Sequence, residues 1–249
     1  MERKDRLVWK TAWATLVLLL FFFAQGAIVV IGEIEGISSI LIRGGVIWGL
    51  VALTLAYYII RYKEISKLGF RSMERGAAKR MLFFSPLLLI ALSPFAAGIN
   101  FNGGAALIFA NLFLTLGIGM AEEIFFRGII CGLWLEHGIV KAMMISSVLF
   151  GFSHLLSIAG GAEVGETVLQ ICFALVYGMV FALIFVESGS LLPCVLLHAL
   201  HDFCSFISGE GSAQFEMVLG AVQFVVLLAY LLYLFRITAR KREPALKGR

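Results

Sequence analysis

Seven ionisable residues stand in stretches that are otherwise apolar. They are Glu122, Glu123 and Arg127 in GMAEEIFFRG, His154 in LFGFSHLL, and His198, His201 and Asp202 in LLHALHDF. Three of the chain's four histidines are in this set, and the other, His137, lies at a loop. Carboxylates beside imidazoles suit two chemistries. A Glu can act as general base on water while a neighbouring His shares the proton, with polar donors steadying an oxyanion. Glu with two or three His is also the ligand type of a catalytic zinc site, although no HExxH occurs here. A third reading is architectural, with buried polar side chains that only tie helices together. Seven such residues on three segments weigh against it, because an ionisable group at membrane depth is costly unless paired or hydrated.

Helical spacing sorts the roles. Glu123 and Arg127 are i,i+4 and share a face, so they can form an ion pair. Glu122 is turned by about 100° from Glu123 and is left as the free carboxylate. His198 and Asp202 are also i,i+4, and His201 lies near their face.

The elements that must carry these residues are set by composition. Of 249 residues, 61% are apolar and only 14% charged, against about 45–50% and about 25% in soluble domains. Mean hydropathy is +0.97. A soluble enzyme, a disordered protein and a nucleic-acid module are excluded. Apolar runs predict transmembrane helices at about 11–31, 40–60, 81–97, 104–134, 142–158, 168–186, 191–207 and 217–235. The first run is too long for a signal-peptide core and reads as an uncleaved span. Pro86 and Pro94 fall inside the third, and Gly128 and Gly132 mark a bend in the long fourth. The polar stretch 61–80 reads as a solvated loop rather than a surface helix. Residues 1–249 read as one integral membrane unit. The four cysteines lie in apolar segments and read as small core residues.

Lys/Arg bias gives the orientation. All basic residues except Arg43 and Arg127 fall at the N-terminus, the 61–80 and 135–141 loops and the C-terminal tail. The opposite loops hold Glu33, Glu35, Glu163, Glu166, Glu210 and Glu216. Both termini are therefore placed in the cytoplasm of a multi-pass protein of a bacterial or archaeal cell membrane, with Arg43 as an interfacial anchor. At 1.5 Å per residue, His154 is roughly 20 Å from Lys141, and His198 and Asp202 roughly 12 and 18 Å from Ser190, which puts the site in the cytoplasmic half or near the midplane.

At these residues the chain resembles the CAAX protease and bacteriocin-processing family, also called Abi or type II CAAX prenyl endopeptidase-like. The family pattern EExxxR, FxxxH and HxxxN or HxxxD stands here as Glu122 to Arg127, Phe150 to His154 and His198 to Asp202. The resemblance implies an all-α polytopic membrane protein with eight transmembrane helices around a conical intramembrane catalytic cavity. It implies a glutamic intramembrane endopeptidase with no required metal or other cofactor. By motif position, Glu122 is the base that activates water, assisted by His154. Glu123 and Arg127 are the supporting pair, and His198 and Asp202 stabilise the oxyanion. Eukaryotic Ras-converting enzymes carry Asn where Asp202 stands. An ionised Asp only accepts hydrogen bonds, so Asp202 is better suited to orienting His198. His201 is outside the pattern and reads as a packing residue.

The partners implied are membrane lipid and a peptide or protein substrate, prenylated or otherwise membrane-anchored, that enters from lipid or cytosol. Two further classes compete with a metal-free protease. One is a non-catalytic membrane partner, such as a bacteriocin self-immunity protein. The other is a proton-relaying transporter, which is expected to show paired halves; no inverted repeat is visible. A zinc-dependent protease is the remaining alternative.

Overall fold

The structure, a computed structural model, describes residues 3–100 and 102–247, with side chains for 4–100 and 102–239. The basic side chains at 3 and beyond 239, part of the charge asymmetry, lie outside the described residues. The fold is all-α. Among the described residues there is no strand, only an isolated antiparallel bridge between Ile99 and Ser208. Helices α1 (Arg3–Ile31) and α2 (Gly36–Tyr62) are followed by a 3-10 turn at Ser66–Leu68, α3 (Ala77–Arg80) and α4 (Ser85–Leu92). Then α5 (Gly104–Glu123) runs without a break into a π-helical segment (Ile124–Cys131) and α6 (Gly132–Trp134). The chain continues through α7 (Ile139–Ser153), α8 (Leu156–Ala159), α9 (Val164–Ser188), α10 (Leu192–Ile207) and α11 (Ala213–Lys247).

Six stretches are long and apolar enough to cross a bilayer: α1, α2, the continuous Gly104–His137, Ile139–Ala159, α9 and the Ala213–Ala239 part of α11. Shorter apolar pieces, Leu82–Ala97 and Leu192–Ile207, stand where the sequence predicts the third and seventh spans. The protein is thus an integral, multi-pass membrane protein, with six full spans and two partial ones. The 16 residues of α10 reach only about 24 Å, less than the hydrocarbon thickness of about 30 Å. In the other piece, Pro86 opens α4 and Pro94 opens a 3-10 turn at Ser93–Ala97. Each proline lacks the N–H that would continue the preceding helix. Leu82, Phe83 and Phe84 take φ of 55°, 51° and 58°, a left-handed corner that L residues adopt at a cost.

Helix α5 is central, flanked by α2 and α10, while α7 packs along α9 and against the π segment. Close approach is bought by small residues. At Gly119 a Cβ would lie 3.0 Å from Ala199 N and 3.2 Å from Val195 O of α10. Polar cross-links fix the rest. Trp48 Nε1 donates to Phe113 O at 2.9 Å, and Ser146 Oγ donates to Phe126 O of the π segment at 2.7 Å. Tyr230 and Tyr233 on α11 donate to Met81 O and Arg80 O at 2.8 and 2.7 Å.

The 61–80 stretch is not the freely solvated loop its charges predict. Leu68, Ala77 and Met81 are buried in the core. Leu191 N–H donates to Gly69 O at 2.8 Å, Glu74 N–H to Ser188 O at 2.7 Å and Ser190 Oγ to Arg71 O at 2.6 Å. Arg71 Nε donates to Gly189 O. The loop is latched to the α9–α10 turn, from which α10 carries His198 and Asp202 to the site.

Candidate active site

Glu122 and Glu123 are the last residues of α5, and the π segment begins directly after them. Its i→i−5 bond, from Gly132 N–H to Arg127 O, marks the wider winding that recurs at functional sites in helices. Within it Arg127 is fully buried. Its Nη1 donates to Glu123 Oε1 at 2.8 Å and its Nη2 to Gly178 O of α9 at 3.3 Å. The guanidinium lies 4.5 Å from the centroid of the Phe150 ring and 5.5 Å from that of Phe181, so cation–π attraction replaces part of the lost hydration.

Glu123 Oε1 also accepts from His198 Nδ1 at 2.8 Å. Because that nitrogen carries the proton, Nε2 is the free end of the imidazole. Nε2 stands 3.4 Å from Glu122 Oε2 and 3.7 Å from Asp202 Oδ2. The chain Arg127–Glu123–His198 therefore fixes the ring with Nδ1–H on Glu123 and aims Nε2 at two further carboxylates. His154 caps the end of α7. Its Nδ1 donates to Phe150 O at 3.0 Å, which leaves Nε2 as an acceptor in the neutral ring. No direct hydrogen bond joins His154 to Glu122; the two face each other across shared space.

That space is a cavity of about 730 Å³, with Glu122, His154, His198 and Asp202 in its wall. Its other walls lie towards one end of the bundle. They include Ile31 closing α1, Gly160 after α8, Gln170 near the start of α9 and Phe206 near the end of α10. The loops at this end are the acidic ones. On the opposite side of Glu122 the π segment, the start of α10 and the end of α9 are buried, with Phe126, Ile130, Leu197 and Ile184 among them. The site thus forms the floor of a cavity that extends away from the basic loops. Among the described residues, no group of three or more His, Cys, Asp or Glu is placed to hold a metal ion.

All six motif residues fall within one continuous stretch of chain. Residues 104–204 match the family model described as Rce1-like, type II CAAX prenyl endopeptidase. This stretch is a CAAX-protease-family domain. No curated protein and no solved structure matches the chain.

The CAAX-protease domain brings five of the six motif residues into one contact network: Glu122, Glu123, Arg127, His198 and Asp202. The sixth, His154, joins them only through the cavity. His201 stands apart, its ring 6.0 Å from Phe173 and 5.4 Å from Tyr177. Two features escaped the sequence. Phe150, the first residue of the FxxxH motif, holds the Arg127 guanidinium and also presents its carbonyl to His154. Arg43, expected as an interfacial anchor, also lines the cavity that holds Glu122. The available signal was its position: a cation seven residues into a 27-residue apolar helix.

Proposed function

We propose that the protein is a glutamic intramembrane endopeptidase in which Glu122 activates water, the whole chain acting as one membrane unit. The observation that carries this is the division between adjacent carboxylates. Glu123 is committed to Arg127 and His198, whereas Glu122 faces the cavity with only His198 Nε2 beside it. Water held between Glu122 and His154 gives its proton to the carboxylate as its oxygen attacks the scissile carbonyl carbon. The tetrahedral oxyanion is met by His198 in its doubly protonated form, through Nε2–H. Collapse breaks the C–N bond, and the proton held by Glu122 passes to the leaving amine. Asp202 orients and shares the proton of His198 rather than donating to the oxyanion, since an ionised carboxylate has nothing to donate. No metal takes part in this scheme.

The substrate is a hydrophobic or lipid-modified peptide. The apolar wall that α1 gives the cavity supports this, with Leu18, Leu19, Phe22, Phe23, Val30 and Ile31 along it. With the basic loops in the cytoplasm, the mouth of the cavity lies on the extracytoplasmic side, and substrate arrives there or laterally from the outer half of the bilayer.

The test is proteolysis by the full chain in liposomes, with fluorogenic peptides carrying or lacking a prenyl group, with and without chelator. Cleavage that disappears in Glu122→Ala and ignores chelator is the expected result. Full activity in Glu122→Gln refutes the general-base assignment. Loss on chelation with recovery on added zinc returns the zinc reading. No cleavage of any peptide moves the weight to a non-catalytic partner role.

A further inference from the structure

A separate cavity of about 530 Å³ stands at the basic end of the bundle and shares no lining residue with the catalytic one. Arg6 and Lys10 reach it from the start of α1, Tyr58 and Tyr62 from the end of α2, and Lys67 from the loop that follows. Lys67 Nζ sits 4.8 Å from the centroid of the Tyr62 ring, a cation–π contact that holds the ammonium at the wall. Glu136 and His137 also line the space, so three fixed cations face one carboxylate among the lining residues. Gly128 and Ile129 of the π segment, with Gly132 after them, close another side. The cavity continues into an apolar groove of about 500 Å³ between α1 and α2, and Lys10, Tyr58, Tyr62, Ile129 and Leu133 line both. Along the groove α1 presents Trp9, Trp13, Val17 and Phe21, and α2 adds Leu50 and Leu53. The four α1 residues are spaced i,i+4 and so form one stripe.

Together the two spaces have the outline of an amphiphile. Basic residues gathered at a membrane face attract anionic lipid headgroups, and phenolic hydroxyls beside them can donate to phosphate oxygens. From Lys10 to Phe21 α1 rises about 16 Å, the depth of one leaflet in a hydrocarbon core of about 30 Å. A free phosphate would occupy the cavity and leave the groove bare. A lipid without net charge would occupy the groove and leave the positive charge unanswered. We propose that the cavity and groove bind one anionic phospholipid from the leaflet that faces the basic loops. Its phosphate lies among Arg6, Lys10 and Lys67, and an acyl chain runs between α1 and α2. Trp9 and Trp13 flank the junction of headgroup and chain, the level at which such rings gather in membranes. The site stands whether or not the chain cleaves peptides.

Quenching of tryptophan fluorescence tests this on the full chain in phosphatidylcholine vesicles. Dibromo-acyl phosphatidylglycerol replaces part of the lipid, with dibromo-acyl phosphatidylcholine as the comparison. Half-quenching is expected at a phosphatidylglycerol share at least about tenfold lower. Equal quenching by the two lipids overturns the proposal. Trp9→Phe with Trp13→Phe should remove the difference; a difference that survives puts the lipid elsewhere and overturns it too. Lys10→Gln with Lys67→Gln should cut the preference about tenfold. Gly132→Leu leaves every charge in place, and the nearest atom to its Cβ outside its own turn is Arg127 O at 3.9 Å, so the side chain extends into the cavity. It should abolish the preference, and Leu7→Phe, which fills the same space from α1, repeats the test on another helix. Loss of the preference in the lysine pair with full retention in the filling variants shows a diffuse basic surface and refutes a built site. Inorganic phosphate, titrated at constant ionic strength, separates the two anion sources. No release of the lipid is expected, and release at millimolar phosphate or below makes this a phosphate site and ends the lipid assignment.

Discussion

Replacing each carboxylate of the adjacent pair by its amide should give opposite phenotypes. Glu123 and Arg127 are both fully buried, and Glu123 Oε1 accepts two charge-assisted hydrogen bonds of 2.8 Å. Glu123→Gln keeps an oxygen that can accept but removes the charge, leaving the Arg127 guanidinium buried without an anion beside Gly178 O and the Phe150 and Phe181 rings. Breaking a buried pair from one side costs about 3–5 kcal/mol. At about 2–4 °C per kcal/mol for a chain of this size, Tm should fall by about 6–20 °C. Glu122 faces the cavity and has no guanidinium to strand. Glu122→Gln, which loses only the charged contact to His198 Nε2 at about 1 kcal/mol, should lower Tm by about 2–4 °C, while hydrolysis falls by a factor of about 100 or more. The assay is thermal unfolding in one detergent, read by far-ultraviolet circular dichroism, beside peptidase rate in liposomes. A stable Glu123→Gln protein with an unstable but active Glu122→Gln protein would show that the roles of the two carboxylates had been exchanged.

Other perturbations test the scaffold around them. Gly119→Val pushes a branched side chain against Ala199 N and Val195 O; overpacking of about 1–3 kcal/mol should appear as a lower Tm, and displacement of α10 should depress hydrolysis further. Gly128→Ala places a methyl 2.8 Å from Leu68 O, and the same melting assay should show destabilisation, since the clash is with backbone. Ser190→Ala deletes the hydrogen bond to Arg71 O and should cost about 1 kcal/mol, with faster proteolytic nicking of the 61–80 segment as the readout. His154→Gln keeps a polar side chain in the cavity but loses the acceptor nitrogen; the rate should drop about 100-fold or more with little change in Tm.

Much of this was readable from spacing because it lies along single helices. The Glu123–Arg127 pair and the separateness of Glu122 follow from helical winding alone. The membrane class follows from composition. What was not legible depends on how helices cross. His198 binds Glu123 only because Gly119 lets α10 approach α5 closely, and no i,i+4 rule connects positions 123 and 198. The 61–80 loop is exposed along most of its length, as its charges predict, but the two apolar residues that dock it, Leu68 and Ala77, are diluted among those charges. The π segment was legible only as the bend that Gly128 and Gly132 mark, since neither the glycines nor the glutamates before it distinguish a wider winding from a kink. Arg43 was assigned by its nearness to a helix end, yet the direction of its side chain depends on where α1 lies.

The buried floor beneath Glu122 bears on the membrane as a barrier. A hydrolase working inside a bilayer must admit water, and a passage wetted from end to end would dissipate the ion gradients that the membrane maintains. Here Phe126 and Ile130 of the π segment, with Leu197 and Ile184 of the neighbouring helices, are packed away from solvent. The same π segment carries Arg127 as well as Phe126 and Ile130. On the proposed reading, Glu122 takes its water from the cavity it lines, and dry packing beneath it keeps that water from bridging the bilayer.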